Sequence, residues 1–349
     1  MGKGEKDRQN FRRSILGLCV FVLALPALWQ MGGADFALRE SLPGQVPAAD
    51  TPISVSAAAE QELFGIEDVH FEETPEDFSD GTPMEVPSDL LEKMRDFDYL
   101  KKNFYIVDSR TTLFPSDIDV EEALSMDFSI DRDTDGPQVL IFHTHSSEGF
   151  ADSDMSKGIE EGIWGVGERL KEILEQEYGI RVLHDTGRYD VVDGKGQITG
   201  AYERMEPPIR QILAENPSIQ VCIDMHRDGV AEGTRLVTEV NGKTCAQVMF
   251  FNGLCRLNQN GEAQPTPGLS NDYLKENLAF SLQMQVQSMM KYSGFNRKIY
   301  LNAYRFSLHM LPRSTLIEVG AQTNTKEEAF NAMEPLADIL ASVLLREDA

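Results

Sequence analysis

Gln138-Val-Leu-Ile-Phe-His-Thr-His-Ser-Ser-Glu148 is a short apolar run that ends abruptly in side chains able to bind a metal. Four consecutive apolar residues between polar ones read as a strand buried on both faces. Such strands build helix-covered parallel sheets, which hold ligands where the chain leaves the strands' C-terminal ends. The region from residue 137 onward agrees. Ile163–Tyr178 has apolar residues at 163, 166, 170, 173 and 174, a helical stripe, and Gly179 stops it. Residues 180–184 read as a strand, and 198–214 as a helix that Pro207 and Pro208 break or kink. Residues 219–224 form a second buried strand. Residues 235–240 and 244–252 flank Asn241-Gly242, the strongest short hairpin signal. Residues 272–292 form a long amphipathic helix capped by Ser270 or Asn271. A strand at 314–319 and a closing helix at 326–345 follow. Alternating strands and helices predict an α/β layered domain, with a mostly parallel sheet flanked by helices and a β-hairpin insertion.

Upstream the composition is different. Residues 1–13 carry Lys3, Lys6, Arg8, Arg12 and Arg13 against Glu5 and Asp7, and residues 14–34 carry no charge. That length approaches the ~20 residues that cross a bilayer. The charge order predicts a cytoplasmic basic tail (1–13), a single transmembrane anchor (14–34) and an extracytoplasmic remainder at the cell membrane. A cleaved signal peptide is the competing reading. Residues 35–136 read as an acidic, largely flexible stalk: residues 60–95 hold twelve Asp or Glu and two Lys or Arg. Within it, Ser88 suits a helix cap and residues 104–107 resemble a strand, so part of the stalk docks on the domain that follows. A folded domain that carries the chemistry considered below is expected over 137–349.

The whole chain has 57 acidic and 32 basic residues, a formal net charge of −25. That balance excludes a nucleic-acid partner, which demands clustered Lys and Arg. The four cysteines, Cys19, Cys222, Cys245 and Cys255, form no CxxC pair and read as buried thiols rather than zinc ligands.

Three clusters stand at strand ends. In the first, His143, His145 and Glu148 fall within six residues. On extended chain His143 and His145 point the same way; if a helix starts there, His145 and Glu148 share a face. A plain polar loop is the alternative. The second is Asp224-Met-His-Arg-Asp228, where a carboxylate beside a ligating histidine orients its ring. A surface ion-pair cluster is the alternative. In the third, Glu318 interrupts the apolar Leu316-Ile-Glu-Val-Gly320. Burial would raise its pKa toward that of a general base activating a zinc-bound water. Pairing with Arg305 or Arg313 is the alternative. Zinc suits the set, since it takes imidazole nitrogen and carboxylate oxygen and keeps a position open for water. HxHxDH, HExxH, phosphate-binding glycine loops and the nucleophile-elbow serine are absent from the sequence.

Taken in order, His143-Thr-His-Ser-Ser-Glu148, Ile223-Asp-Met-His-Arg-Asp228 and Leu311-Pro-Arg-Ser-Thr-Leu-Ile-Glu-Val-Gly-Ala-Gln-Thr-Asn324 resemble the stage II sporulation protein P family. That family is similar to the zinc-dependent N-acetylmuramoyl-L-alanine amidases. The resemblance covers roughly residues 137–345. It implies a peptidoglycan hydrolase that cuts between glycan and stem peptide, with an endopeptidase activity on cross-links, during engulfment. It also implies stage II sporulation proteins D and M as partners. Laid on the amidase pattern, His145 and His226 match the ligand histidines and Glu318 the catalytic glutamate. The ligand carboxylate is Glu148 by the local motif, or Glu160 or Glu161 by the amidase pattern. His143, Arg227 and Asp228 are left to support the ligands or touch substrate. The rival from another class is a non-catalytic wall-binding scaffold that recruits a hydrolase.

Overall fold

The structure, a computed structural model, describes Phe78, 84–259 and 261–345. The expected basic tail, the expected anchor and the first part of the stalk lie outside the described residues. Among the described residues no helix is long and apolar enough to cross a membrane. In chain order the elements are α1 Ser88–Met94, α2 Phe97–Phe104, β1 Tyr105–Val107, α3 Val120–Ser125, β2 Val139–Phe142, α4 Ile163–Tyr178, β3 Val182–His184, β4 Val191–Val192, β5 Lys195–Gly196, α5 Ala201–Glu215, β6 Val221–Asp228, β7 Val237–Val240, β8 Lys243–Ala246, β9 Val248–Gly253, β10 Arg256–Gln259, β11 Glu262–Pro265, α6 Leu274–Lys291, β12 Ile299–Asn302, β13 Arg313–Ala321, α7 Lys326–Asn331 and α8 Met333–Leu344.

Seven strands form one sheet in the order β1-β12-β9-β13-β6-β2-β3. Every neighbouring pair is parallel except β13 with β9. The alternation of side chains along each strand sorts the sheet into two faces. Val139, Ile141, Val221, Ile223, Met225, Ile317 and Val319 join the main core with apolar residues of α4, α6 and α8. On the opposite face Leu140, Phe142 and Cys222 pack with Met205 and Ile209 of α5.

The helical stripe at 163–178 forms α4 over the same bounds, and Asn241 and Gly242 take φ 52° and 77°, as a two-residue primed turn requires. Several expectations change. Helix α5 continues through Pro207 and Pro208, because Met205 and Ile209 on either side are held in the core. The strand expected over 244–252 divides into β8 and β9. The closing helix divides at Ala332 into α7 and α8. The cap expected from Ser270 or Asn271 is not formed: α6 starts after Tyr273 without a side-chain cap, and Asn271 accepts from the Tyr273 N–H instead. A second hairpin pairs β10 with β11 up to Gln259 and Glu262; the sequence between them is another Asn-Gly pair, overlooked in the sequence reading.

The domain boundary expected at residue 137 also moves. Residues 84–136 are folded onto the domain, with Met94, Leu100, Phe104, Leu113, Leu124 and Phe128 all in its core. Strand β1 adds to the sheet beside β12. Buried polar groups lock the segment in place: Gln283 of α6 donates to the carbonyls of Ala123 and Met126, and Arg313 donates to those of Phe128 and Ser129. The strand expected at 104–107 is present as β1, whereas average acidity hid most of the other apolar positions, because a run of exposed carboxylates outweighs a few buried side chains in any compositional average.

Asp108 fastens β1 to β12. Its carboxylate accepts from Tyr300 Oη at 2.6 Å and Arg110 Nε at 2.8 Å. Burial pushes this carboxyl up, but Arg110 and Tyr300 outweigh it and leave its pKa at about 2. A depressed carboxylate stabilises the fold above its unfolded pKa and loses that effect as pH falls through the folded one. Asp108→Asn therefore lowers unfolding free energy by about 2 kcal/mol at pH 7. Urea titrations should show the difference from wild type shrinking between about pH 4 and 2.

Candidate metal centre

Strands β2, β6 and β13 are neighbours inside the sheet, and their C-terminal ends carry the three clusters. On β6 the residues Asp224, His226 and Asp228 follow Cys222 onto the α5 face, two positions apart. On β13, Glu318 lies opposite the core residues Ile317 and Val319, hence on that same face. The parallel register pairs Glu318 with His226. Just beyond, Gly320 takes φ 59° where the β13–β6 register shifts, and an added Cβ there would meet Asn324 and Ala246 at under 3 Å.

His145 follows β2 on a turn. The ligand atoms of His145, Glu148 and His226 all lie within 4.8 Å of one another. His145 Nδ1 is 3.7 Å from Glu148 Oε1, and His226 Nδ1 is 3.5 Å from Glu148 Oε2. These spacings suit three donors around one cation better than direct hydrogen bonds. On its far side, His226 Nε2 lies 2.8 Å from Asp224 Oδ1. Asp224 is buried and also accepts from Thr144 N, Thr144 Oγ1 and Ser307 Oγ. A carboxylate held from several sides in this way sets the tautomer and angle of the ring it faces.

The electrostatics favour a cation. Burial lowers the His226 pKa, but Asp224 and Glu148 override it and push it well up. Burial raises the Glu148 carboxyl, yet His145, His226 and Arg227 bring it well below the usual range. Both shifts express one demand, for positive charge among buried carboxylates. Glu318 behaves in the opposite sense. Burial first, then Asp228, raises its pKa to about 8. Its Oε2 is buried without a hydrogen-bond partner among the described residues. Neither suggested partner reaches it: Arg305 pairs with Glu206, and Arg313 holds the Phe128 and Ser129 carbonyls. An orphaned carboxylate oxygen beside the His226 imidazole and near the Glu148 carboxylate fits a metal ion with its water.

The other expected residues have different placements. His143 turns away from the cluster, because the chain leaves extended geometry after Phe142. Its Nδ1 lies 2.8 Å from Met225 O and its Nε2 2.8 Å from His184 Nε2. The reading that placed His143 and His145 on one side is thereby corrected. Arg227 donates its backbone N–H to Glu148 Oε2 and its Nε to Gly149 O, so it braces the ligand loop. Asp228 pairs with Arg297 at 2.7 Å. Glu161 is bound to Lys326 at 2.8 Å, and Glu160 belongs with it to a short turn outside the cluster. Sequence reasoning missed Asp190, whose carboxylate holds Ser146 Oγ and Ser147 N, as well as Ser307, Arg297 and Tyr202. Each comes from a distant part of the chain and carries no local signal.

The sequence profile of the family "Stage II sporulation protein P (SpoIIP)" matches residues 67–341. The chain belongs to the stage II sporulation protein P family. A curated member, Stage II sporulation protein P of Bacillus subtilis strain 168, is 23% identical over 218 residues, covering 59% of this chain and 50% of that protein. The chain thus spans about half the length of that relative. Among solved structures, the N-acetylmuramoyl-L-alanine amidase AmiC2 of Nostoc punctiforme is 14% identical, with a TM-score of 0.35. The match covers 61% of this chain and 100% of that one. An N-acetylmuramoyl-L-alanine amidase from Clostridium difficile 630 is 16% identical, with a TM-score of 0.32, over 61% and 96% of the two chains.

Metal binding separates the candidate carboxylates. His226→Ala and Glu148→Ala are expected to abolish stoichiometric metal in elemental analysis, whereas Glu160→Gln and Glu161→Gln are expected to retain it. Asp224→Ala is expected to weaken affinity by about 10- to 100-fold in chelator competition, through loss of ring orientation.

Proposed function

We propose that the protein is a zinc-dependent peptidoglycan hydrolase, an N-acetylmuramoyl-L-alanine amidase that remodels septal wall during sporulation. One observation carries the reading. His145, Glu148 and His226 converge within a single ion's reach, and Glu318 stands beside His226 with a buried carboxylate oxygen that has no hydrogen-bond partner among the described residues. Membership in a sporulation family supports the setting. By that reading the chain is held at the cell membrane through residues 14–34, with the domain outside the cytoplasm and stage II sporulation proteins D and M as partners.

Zinc, when bound by His145, Glu148 and His226, would polarise the scissile carbonyl and acidify a water. The protein's own residues supply the rest. Asp224 faces the His226 ring at Nε2, 2.8 Å away, and leaves Nδ1 to the centre. Arg227 and Asp190 fix the turn that presents His145 and Glu148. Glu318 takes a proton from the attacking water as the new C–O bond forms. It then delivers that proton to the alanine nitrogen, so the C–N bond breaks and an amine leaves. A base needs its carboxylate ionised. A cation held beside it by His145, Glu148 and His226 would favour the ionised carboxylate.

The test uses the full chain in detergent, loaded with zinc, on purified sacculi, with mass spectrometry of released fragments. The expected products are stem peptides with a free L-alanine amine. Glu318→Gln is expected to keep the metal and lose about 10²–10⁴-fold in rate. Cut cross-links with intact muramoyl-alanine bonds would replace the amidase by an endopeptidase. Zinc retained with no fragment released, even with stage II sporulation protein D added, would leave a wall-binding scaffold.

A further inference from the structure

One aromatic side chain reaches the metal centre from an element the mechanism has not used. Tyr202, the second residue of α5, sets its ring edge-on against His145, with centroids 5.7 Å apart at 75°. On the other side it meets Phe306 at 5.4 Å and 75°, and Phe306 meets Phe251 at 4.8 Å and 82°. Phe306 has φ 54°, a left-handed conformation that a bulky side chain keeps only when its surroundings hold it there. Next to it, Ser307 Oγ donates to Asp224 Oδ2 at 2.8 Å, the same carboxylate that faces His226. The ring of Tyr202 is therefore gripped between a ligand histidine and a loop pinned to that ligand shell.

The hydroxyl differs from three other tyrosine hydroxyls. Tyr189, Tyr292 and Tyr300 each donate to a nearby carboxylate at 2.7, 2.9 and 2.6 Å. The Tyr202 hydroxyl makes no such bond among the described residues, although it lies in the field of Asp224, Glu318 and Glu148. A phenol keeps its proton at neutral pH and can donate it in a hydrogen bond. A positioned donor left unpaired beside a reacting centre is satisfied by an acceptor that the substrate brings.

We propose that Tyr202 is a catalytic residue whose hydroxyl donates a hydrogen bond to the scissile carbonyl oxygen as the carbonyl carbon becomes tetrahedral. This rests on the amide-hydrolase reading above. As the water oxygen bonds to carbon, the C=O π pair moves onto the carbonyl oxygen, and the Tyr202 O–H⋯O bond strengthens with that charge. When the C–N bond breaks the pair returns. The phenol neither gains nor loses a proton. Because the bond is strongest at the tetrahedral stage, its effect falls on kcat rather than KM. Phe306 is a positioning residue, since it touches the ring and not the substrate.

The test compares wild type with Tyr202→Phe in the zinc-loaded full chain. The probes are a disaccharide-peptide with an intact muramoyl-alanine bond and its phosphinate analogue, in which tetrahedral phosphorus replaces the scissile carbonyl carbon. Tyr202→Phe is expected to keep its zinc and melting midpoint and to lose about 10²-fold in kcat, with KM within about twofold. In calorimetry it should bind the phosphinate at least about tenfold more weakly and the intact compound as well as before. Phe306→Leu, which retains the hydroxyl, should lose less kcat and keep the zinc. Unchanged kcat and phosphinate affinity in Tyr202→Phe would overturn the assignment, as would a loss confined to KM or a loss of zinc. A wild type that neither cuts the substrate nor binds the phosphinate would overturn the hydrolase reading and Tyr202's role with it. A wild type that cuts, beside an equally active Tyr202→Phe, would overturn Tyr202 alone.

Discussion

The pairing of β6 with β13 is the constraint on which the rest depends. Adjacent parallel strands lie about 4.8 Å apart, so residues in register are fixed neighbours. Here the register joins His226 to Glu318, a metal-ligand candidate to a proton-transfer candidate. Both side chains fall on the α5 face because the opposite positions, Met225 and Ile317, belong to the main core. A slip of one residue would exchange those roles and place two carboxylates and a histidine in hydrocarbon. The apolar residues of β6 and β13 therefore specify the chemistry indirectly, by deciding which alternate residues are left for the other face.

That arrangement brings buried negative charge together. Asp224, Asp228, Glu148 and Glu318 approach within one neighbourhood, with Arg227 and Arg297 at its margin. Isolated buried carboxylates are costly, and the fold meets the cost in three ways. Asp224 is surrounded by hydroxyl and amide donors. Asp228 takes a guanidinium. Glu148 leans on two imidazoles, an arrangement that a divalent ion satisfies more completely than protons do. Of these four, Glu318 retains an oxygen with no hydrogen-bond partner among the described residues.

The N-terminal segment has a structural part in this. Residues 84–136 extend the sheet at β1 and cover α6, and α6 in turn packs behind β13. Arg313, at the start of β13, is held by carbonyls of that segment. The strand that presents Glu318 is thus anchored at its far end by residues whose acidic surroundings suggested a tether. Only their burial distinguishes them from flexible chain.

The sequence by itself was enough for the layered α/β class, the hairpin at Asn241-Gly242, helix 163–178 and the three clusters at strand ends. All of these follow from short-range physics: apolar periodicity, the φ preferences of Asn and Gly, and the cost of a Glu within an apolar run. The tertiary structure alone decided what depends on distant residues meeting. It turned His143 toward His184, kept α5 whole through two prolines, divided the closing helix and drew residues 84–136 into the core. It also put Asp190, Ser307 and Tyr202 around the centre, from positions tens of residues away. Local sequence reports which side chains a strand can present, whereas packing chooses the face, the register and the neighbours that give those side chains their charge and their task.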